Sequence, residues 1–151
     1  MTDIVDRSTR SRMMRGIGGR DTKPEMALRR YLHSLGYRYR LHRRDLPGSP
    51  DLVLSRHRLA ILVHGCFWHR HGGCFYATTP KTRQTFWEDK FSSNIQRDRR
   101  VSFELGRLEW RVLVVWECGF KHLRHRMSDI PLMIECSDRY LEWPPVPPRR
   151  R

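Results

Sequence analysis

No apolar run in the 151 residues approaches the length that crosses a bilayer, and residues 1–20 lack the apolar core of a signal peptide. Both absences point to an intracellular, cytoplasmic protein with no membrane partner. Acidic residues are scarce: 16 Asp and Glu stand against 30 Lys and Arg, for a formal net charge of +14. A field of that sign draws polyanions, nucleic acid first and acidic membrane surface second. The excess is rich in Arg, whose planar fork grips phosphate oxygens bidentately. No internal repeat is present, and the length suits one domain with a real core rather than two. Cysteine is sparse as well. Four thiols in a reducing compartment favour metal binding, with a disulfide pair the weaker reading.

What the chain does have is concentrated in one stretch, His64-Gly65-Cys66-Phe67-Trp68-His69-Arg70-His71-Gly72-Gly73-Cys74. Cys66, His71 and Cys74 are borderline-soft ligands separated by short loops, and the distant Cys118 can close a tetrahedral Zn²⁺ site of Cys₃His type. Cys136 is then a lone thiol. His64 and His69 are spare, although His69 competes with His71 for the ligand position. Phe67 and Trp68 lie between ligands, where adjacent large apolar side chains are hard to bury together and are available to a partner.

Residues 1–20 carry Gly16, Gly18 and Gly19 without sustained periodicity, as in a basic arm that orders on its partner. Thr22-Lys23-Pro24-Glu25 reads as a capping box opening a helix that carries Leu28, Tyr31, Leu32 and Leu35 and stops at Gly36. Tyr37 to His42 alternates like a half-exposed strand, and Leu46-Pro47-Gly48-Ser49-Pro50 turns into a strand at Asp51 to Leu54. Leu59 to Val63 is a buried strand ending at the histidine and cysteine cluster. Thr85 to Leu108 fits one or two helices with basic outer faces. Trp110 to Trp116 is a further buried strand, delivering Glu117 and Cys118 to its end. A last helix is expected between Leu123 and Tyr140, broken at Pro131, followed by a Pro/Arg-rich tail from Trp143 to Arg151 with no core of its own. This order implies an α/β architecture, a mixed sheet with helices on its faces and its ligands at strand ends.

Pro50-Asp51 just inside a strand, the His64 to Cys74 cluster, Asn94-Ile95-Gln96-Arg97-Asp98-Arg99-Arg100 and the run from Trp110 to Cys118 together resemble the Vsr family, the very short patch repair endonucleases. The likeness covers roughly residues 6 to 120. It implies a restriction-endonuclease-like fold, a mixed β-sheet flanked by helices, with a structural zinc on Cys66, His71, Cys74 and Cys118. In that reading 1–20 is a DNA-contacting arm, 21–142 the endonuclease domain and 143–151 the tail. The family's catalytic Asp falls on Asp51, which would bind Mg²⁺ together with the backbone carbonyl of Val63. His64 and His69 match its catalytic histidines, and Glu25 and Asp98 the acidic residues that support them. Met14, Phe67, Trp68 and Trp87 match side chains that wedge into the duplex. Two departures are visible: Gly72-Gly73 lengthens the spacing before Cys74, and no family motif follows residue 123.

The chemistry is also legible in the residue types. Asp51 is a hard oxygen ligand suited to Mg²⁺, His69 titrates near neutrality and can take a proton from water, and His64 can position water or phosphate. No conventional restriction-enzyme Lys is present, and histidine would take over its polarising part. A thymine–guanine wobble stacks poorly, so wedging Phe67 and Trp68 beside it is easier than at a matched pair. Plainer readings stand beside each assignment. Asp51 can cap a turn, the histidines can be core residues, and the capping box accounts for Glu25. Asp98 can be a surface ion pair, Phe67 and Trp68 can plug the metal knuckle, Trp87 can be core, and Met14 can be an unconstrained arm residue.

The function expected is a Mg²⁺-dependent endonuclease nicking the thymine strand of double-stranded DNA at a T:G mismatch, acting as a nucleoid-associated monomer. A relative cutting both strands, a catalytically silent zinc protein that binds mismatched DNA, and a zinc-containing RNA-binding module are the alternatives.

Overall fold

The computed structural model describes residues 21–149, and Thr22 starts the first helix among them. Helix α1 (Lys23–Ser34) has Thr22 at its N-cap, accepting the Glu25 amide at 3.4 Å, and Pro24 in its first turn. The Glu25 side chain reaches back to the Asp21 amide (3.2 Å), one residue before the one a capping box engages. Leu28 and Leu32, one turn apart, are fully buried.

Five strands follow: β1 (Arg40–Leu41), β2 (Leu52–Leu54), β3 (Leu59–His64), β4 (Arg111–Trp116) and β5 (Tyr140–Trp143). They form one sheet in chain order, with β1, β2 and β3 antiparallel in sequence and β4 and β5 added in parallel. The parallel step from β3 to β4 requires a long crossover, which is helix α2 (Gln84–Arg107), a single 24-residue helix. After β4 come α3 (Glu117–His122) and α4 (Asp129–Glu135).

The period of two along the strands sorts the core into two layers. Val53, Ala60, Leu62, Val112, Val114 and Trp116 pack with Val101 and Leu105 of α2. Leu52, Leu54, Leu59, Ile61, Leu113 and Val115 face the other way, onto Leu28, Leu32, Phe120, Ile130, Ile134 and Trp143. His64 and Trp116 end their strands opposite one another, so the strand ends and the metal-ligand loop meet at one rim.

Three sequence expectations change. Of Tyr37 to His42 only Arg40 and Leu41 pair, because Tyr37 turns its hydroxyl to Glu135 (2.9 Å) and His42 takes a left-handed φ of 47°. Pro131 does not break the last helix. It sits in the first turn of α4, where a missing amide leaves no intrahelical bond unmade. Trp143 belongs to no tail: it closes strand β5 against Val115 and is fully buried, packed on Gly119 where a Cβ would collide with its indole ring. Among the described residues no helix is long and apolar enough to cross a membrane.

Candidate active site and metal cluster

A cleft of about 590 Å³ opens at the rim and is lined by Asp51, Val63, His64, Phe67, Trp68, His69 and Asp98. Asp51 enters it from the turn before β2. Gly48 in that turn has φ 74°, and a Cβ there would come within 2.5 Å of Val101, so the turn lies directly on α2. The Val63 amide donates to Asp51 Oδ2 at 2.7 Å, tying the carboxylate to the end of β3. Burial, with the neighbouring Glu25 adding to it and the Val63 amide opposing it, pushes the Asp51 carboxyl up to about 7.

His64 ends β3 on the α2 side of the sheet and is buried. Burial, then the nearby His69 and His71, hold its pKa well below the ordinary value, so its imidazole is neutral. His69 follows in the loop and stacks on it, ring centroids 3.8 Å apart. Nδ1 of His69 lies 2.7 Å from Asp98 Oδ2, which leaves Nε2 as the ring nitrogen available for proton transfer. Asp98 comes from α2, whose buried face carries Trp87, Phe91, Val101 and Leu105. Asn94 and Asp98 continue that same stripe, polar where the helical period calls for apolar residues, and Asn94 Nδ2 donates to the Trp68 carbonyl at 2.9 Å. That interruption is a sequence signal for the site.

Beneath the cleft, Cys66, His71, Cys74 and Cys118 are all buried, with one potential ligand atom from each within 4.8 Å of the others. His71 Nδ1 is 3.6 Å from Cys66 Sγ and 3.5 Å from Cys118 Sγ. A hydrogen bond with Cys118 and burial push the Cys66 thiol up, and burial does the same to Cys74. Trp116 stacks flat on His71 at 4.1 Å and meets His64 edge-on at 5.3 Å, so one indole connects the cluster to the cleft. Glu117, also in the cleft lining, accepts the Cys66 amide at 3.2 Å.

The expected site residues therefore separate by depth. Asp51, His64, His69 and Asp98 converge on the cleft. Glu25 is buried behind it at 1% exposure, ion-paired to Arg29 and His42. Phe67 and Trp68 are half-buried at the cleft, ring to ring at 5.1 Å. Trp87 is buried behind them, in contact with Phe67, Trp68, Phe86 and Phe91, and its indole N–H has no hydrogen-bond partner among the described residues. Met14 and the basic arm lie outside the described residues. Sequence reasoning missed His42 and Arg29 and gave Glu117 no role; the signal for His42 and Glu117 is spatial, because Glu25 and Cys66 are distant in the chain, whereas Arg29 stands one helical turn from Glu25.

Residues 2–75 match the family described as DNA mismatch endonuclease Vsr. The chain is 46% identical over 123 residues to the type II nicking enzyme V.XorIIP of Xanthomonas oryzae pv. oryzae, covering 82% of this chain and 90% of that one. It is 42% identical over 143 residues to the DNA mismatch endonuclease Vsr of Escherichia coli, covering 95% and 88% respectively. Against the type II nicking enzyme V.NmeAIP of Neisseria meningitidis serogroup A the identity is 40% over 122 residues, 81% of this chain and 86% of that one. An α/β sheet with acid, paired histidines and a metal-capable cluster at one rim is thus the scaffold of a DNA endonuclease. The chain belongs to the Vsr family of DNA mismatch endonucleases. That membership supports a DNA endonuclease over the catalytically silent zinc protein and the RNA-binding module.

Proposed function

We propose that the protein nicks the thymine strand of duplex DNA at a T:G mismatch, with Mg²⁺ at Asp51 and Zn²⁺ at the Cys₃His cluster, on a restriction-endonuclease-like core. The observation that carries this reading is the convergence of Asp51, His64 and the His69–Asp98 pair on one cleft beside Phe67 and Trp68. Two similar proteins are named nicking enzymes, which favours one cut over two.

The donor sets fit the two cations. Asp51 and the Val63 carbonyl are hard oxygens, and an acid whose charge is disfavoured by burial and by a second acid gains most from a divalent cation. Mg²⁺ bound there supplies charge neutralisation on the phosphate and a more acidic water. For the cluster, a tetrahedral edge between thiolate and imidazole ligands of zinc spans about 3.6 Å, close to the observed S···N separations of 3.5 and 3.6 Å.

The protein's own groups then divide the work. Asp98 orients His69 so that Nε2 takes the proton from the attacking water. Neutral His64, held flat against His69, hydrogen-bonds phosphate or water without adding charge. Lys90 and Arg97 at the cleft supply fixed positive charge for the phosphate. Phe67 and Trp68, with Met14, enter the stack beside the mismatch, and Trp87 backs them as a firm floor. The basic surface adds affinity without reading sequence, and the DNA substrate sets an intracellular, nucleoid-associated location for a monomer.

The test is cleavage of end-labelled duplexes that differ only by one T:G mismatch, in Mg²⁺ and in EDTA, with wild-type protein and Asp51→Ala. Mismatch-dependent nicking that disappears in EDTA and in Asp51→Ala is expected. Equal cutting of matched and mismatched duplexes, or full activity in EDTA, overturns the proposal; cutting of both strands overturns its nicking part.

A further inference from the structure

Behind the cleft, His42 bridges two segments that the reaction needs in register. Its backbone amide donates to the Asp51 carbonyl at 3.2 Å, one rung beyond the last β1–β2 pair, Leu41 with Leu52. Its φ of 47° then breaks the strand alternation, a conformation that non-glycine residues adopt only when the surroundings impose it. The result of that turn is that Nε2 lies 3.2 Å from both carboxylate oxygens of Glu25. A carboxylate only accepts, so the imidazole donates, and the Arg29 guanidinium, 3.5 Å from the same imidazole nitrogen, donates to that carboxylate too. Arg29 also bonds Asp21 at 2.6 Å, so its hold on Glu25 is shared with an exposed acid. Glu25 in turn lies near enough to the Asp51 carboxyl to raise its pKa.

We propose that His42 is a positioning residue for the cleavage reaction, joining the Asp51 main chain to the Glu25 carboxylate and so fixing the acidic pair from behind the cleft. This rests on the reading of Asp51 as the carboxylate that serves the cation. Two carboxyls in one buried place repel one another once both are ionised. His42 opposes that repulsion by holding one through its side chain and the other through its backbone. It does not line the cleft, so its effect on the reaction passes through Asp51. The Asp21, Glu25 and His42 group is also close enough in space to suggest a cation site, but the Arg29 guanidinium already engages both of its acids.

Three variants of the full chain test this. His42→Gly removes the imidazole and relaxes the left-handed backbone, so a loss there is not a strain effect. His42→Leu keeps bulk without a donor, and His42→Gln returns an N–H at similar reach. On a duplex that the wild type cleaves, His42→Gly is expected to lower kcat by about 10- to 100-fold, the usual effect of losing an outer partner of a cation-binding group. The Mg²⁺ concentration for half-maximal rate rises in parallel, while the Kd for duplex in EDTA and the melting temperature hold. His42→Gln recovers most of the lost rate, and His42→Leu does not.

Wild-type kcat and Mg²⁺ dependence in His42→Gly overturn the proposal. So does a Gln variant no better than Leu, or a rate loss that tracks lost duplex affinity and melting. If His42→Gly melts below the assay temperature, the Gln and Leu comparison decides. Asp51→Ala run alongside separates the two levels. An inactive Asp51→Ala with unaffected His42 variants sinks only the role of His42, whereas an active Asp51→Ala sinks the reading of Asp51 itself.

Discussion

His64 and His69 stack face to face, ring centroids 3.8 Å apart and planes within 6° of parallel, although one ends a strand and the other sits in the following loop. The two rings differ in burial: His64 is 7% exposed and burial keeps its imidazole neutral, whereas the His69 side chain is 30% exposed and hydrogen-bonded to Asp98. The stack therefore sets a buried neutral ring against a more exposed one held by Asp98.

Asp98 sets the tautomer of His69, so Asp98→Asn presents an amide that can donate to Nδ1 and leaves Nε2 protonated, unable to act as base. Single-turnover cleavage by Asp98→Asn is expected to fall by about 10² or more, the range of a lost general base, with duplex affinity unchanged. A wild-type rate would show that His69 takes no proton in the reaction.

The raised Asp51 pKa makes a pH prediction with a definite sign. In the folded chain Asp51 holds its proton up to about pH 7, whereas the unfolded carboxyl loses it near 3.8. Across that window the folded state binds more protons, so Asp51's contribution to stability is full below 3.8 and fades as pH rises to about 7. Asp51→Asn should melt higher than wild type above pH 7 without Mg²⁺, with the gap closing in acid. Mg²⁺ competes with that proton, so its stabilising shift in wild-type melting should be larger at pH 8 than at pH 6 and absent in Asp51→Asn.

The metal cluster predicts its own stoichiometry. Purified protein should carry one zinc per chain by elemental analysis, and Cys118→Ser should lose it, because Cys118 is the ligand that joins the end of β4 to the loop after β3. Chelation should lower the melting temperature and slow cleavage together, since Trp116 stacks on His71 and abuts His64. Zinc-free protein with unchanged melting and rate would contradict a structural role.

Phe67 and Trp68 predict a loss of discrimination. Trp68→Ala should weaken binding to a T:G duplex by about 1–3 kcal/mol, the contribution of one base–aromatic stack, and matched duplex by less. Fluorescence anisotropy on both duplexes measures the ratio. A uniform loss on both would make Trp68 a general contact.

Trp143→Ala tests the fifth strand. Removing a fully buried indole from the layer of Phe120, Ile130 and Ile134 should cost about 3–5 kcal/mol in denaturant unfolding. A change below about 1 kcal/mol would mean that Trp143 contributes little to the core.

The two long buried strands, β3 and β4, and the α1 start were legible because local sequence carries them: continuous apolar runs and a Thr-Lys-Pro-Glu cap. Strand β5 was not legible. Tyr140 to Trp143 is a short edge strand next to prolines, and only its pairing with Val112 to Val115 makes it a strand. Cys66, His71 and Cys74 were legible as candidate ligands by their spacing, and the structure brings Cys118 beside them from the neighbouring strand end, in a group that could hold a metal. His42 had no sequence signal at all, since its partners Glu25 and Asp51 lie 17 and 9 positions away, in opposite directions.

The sequence by itself determined the chemistry on offer: hard oxygen at Asp51, imidazoles at His64 and His69, thiols around His71, and an Arg-rich charge of +14. Residue type sets intrinsic acidity and ligand preference, and these travel with the chain. Tertiary structure alone decided which acid is buried, which histidine is neutral, and that Glu25 stands behind Asp51 while Trp87 stands behind Phe67. Those properties depend on desolvation and on neighbours brought together by the β3–α2–β4 crossover, and no local pattern encodes a distance between segments that meet only when the sheet closes.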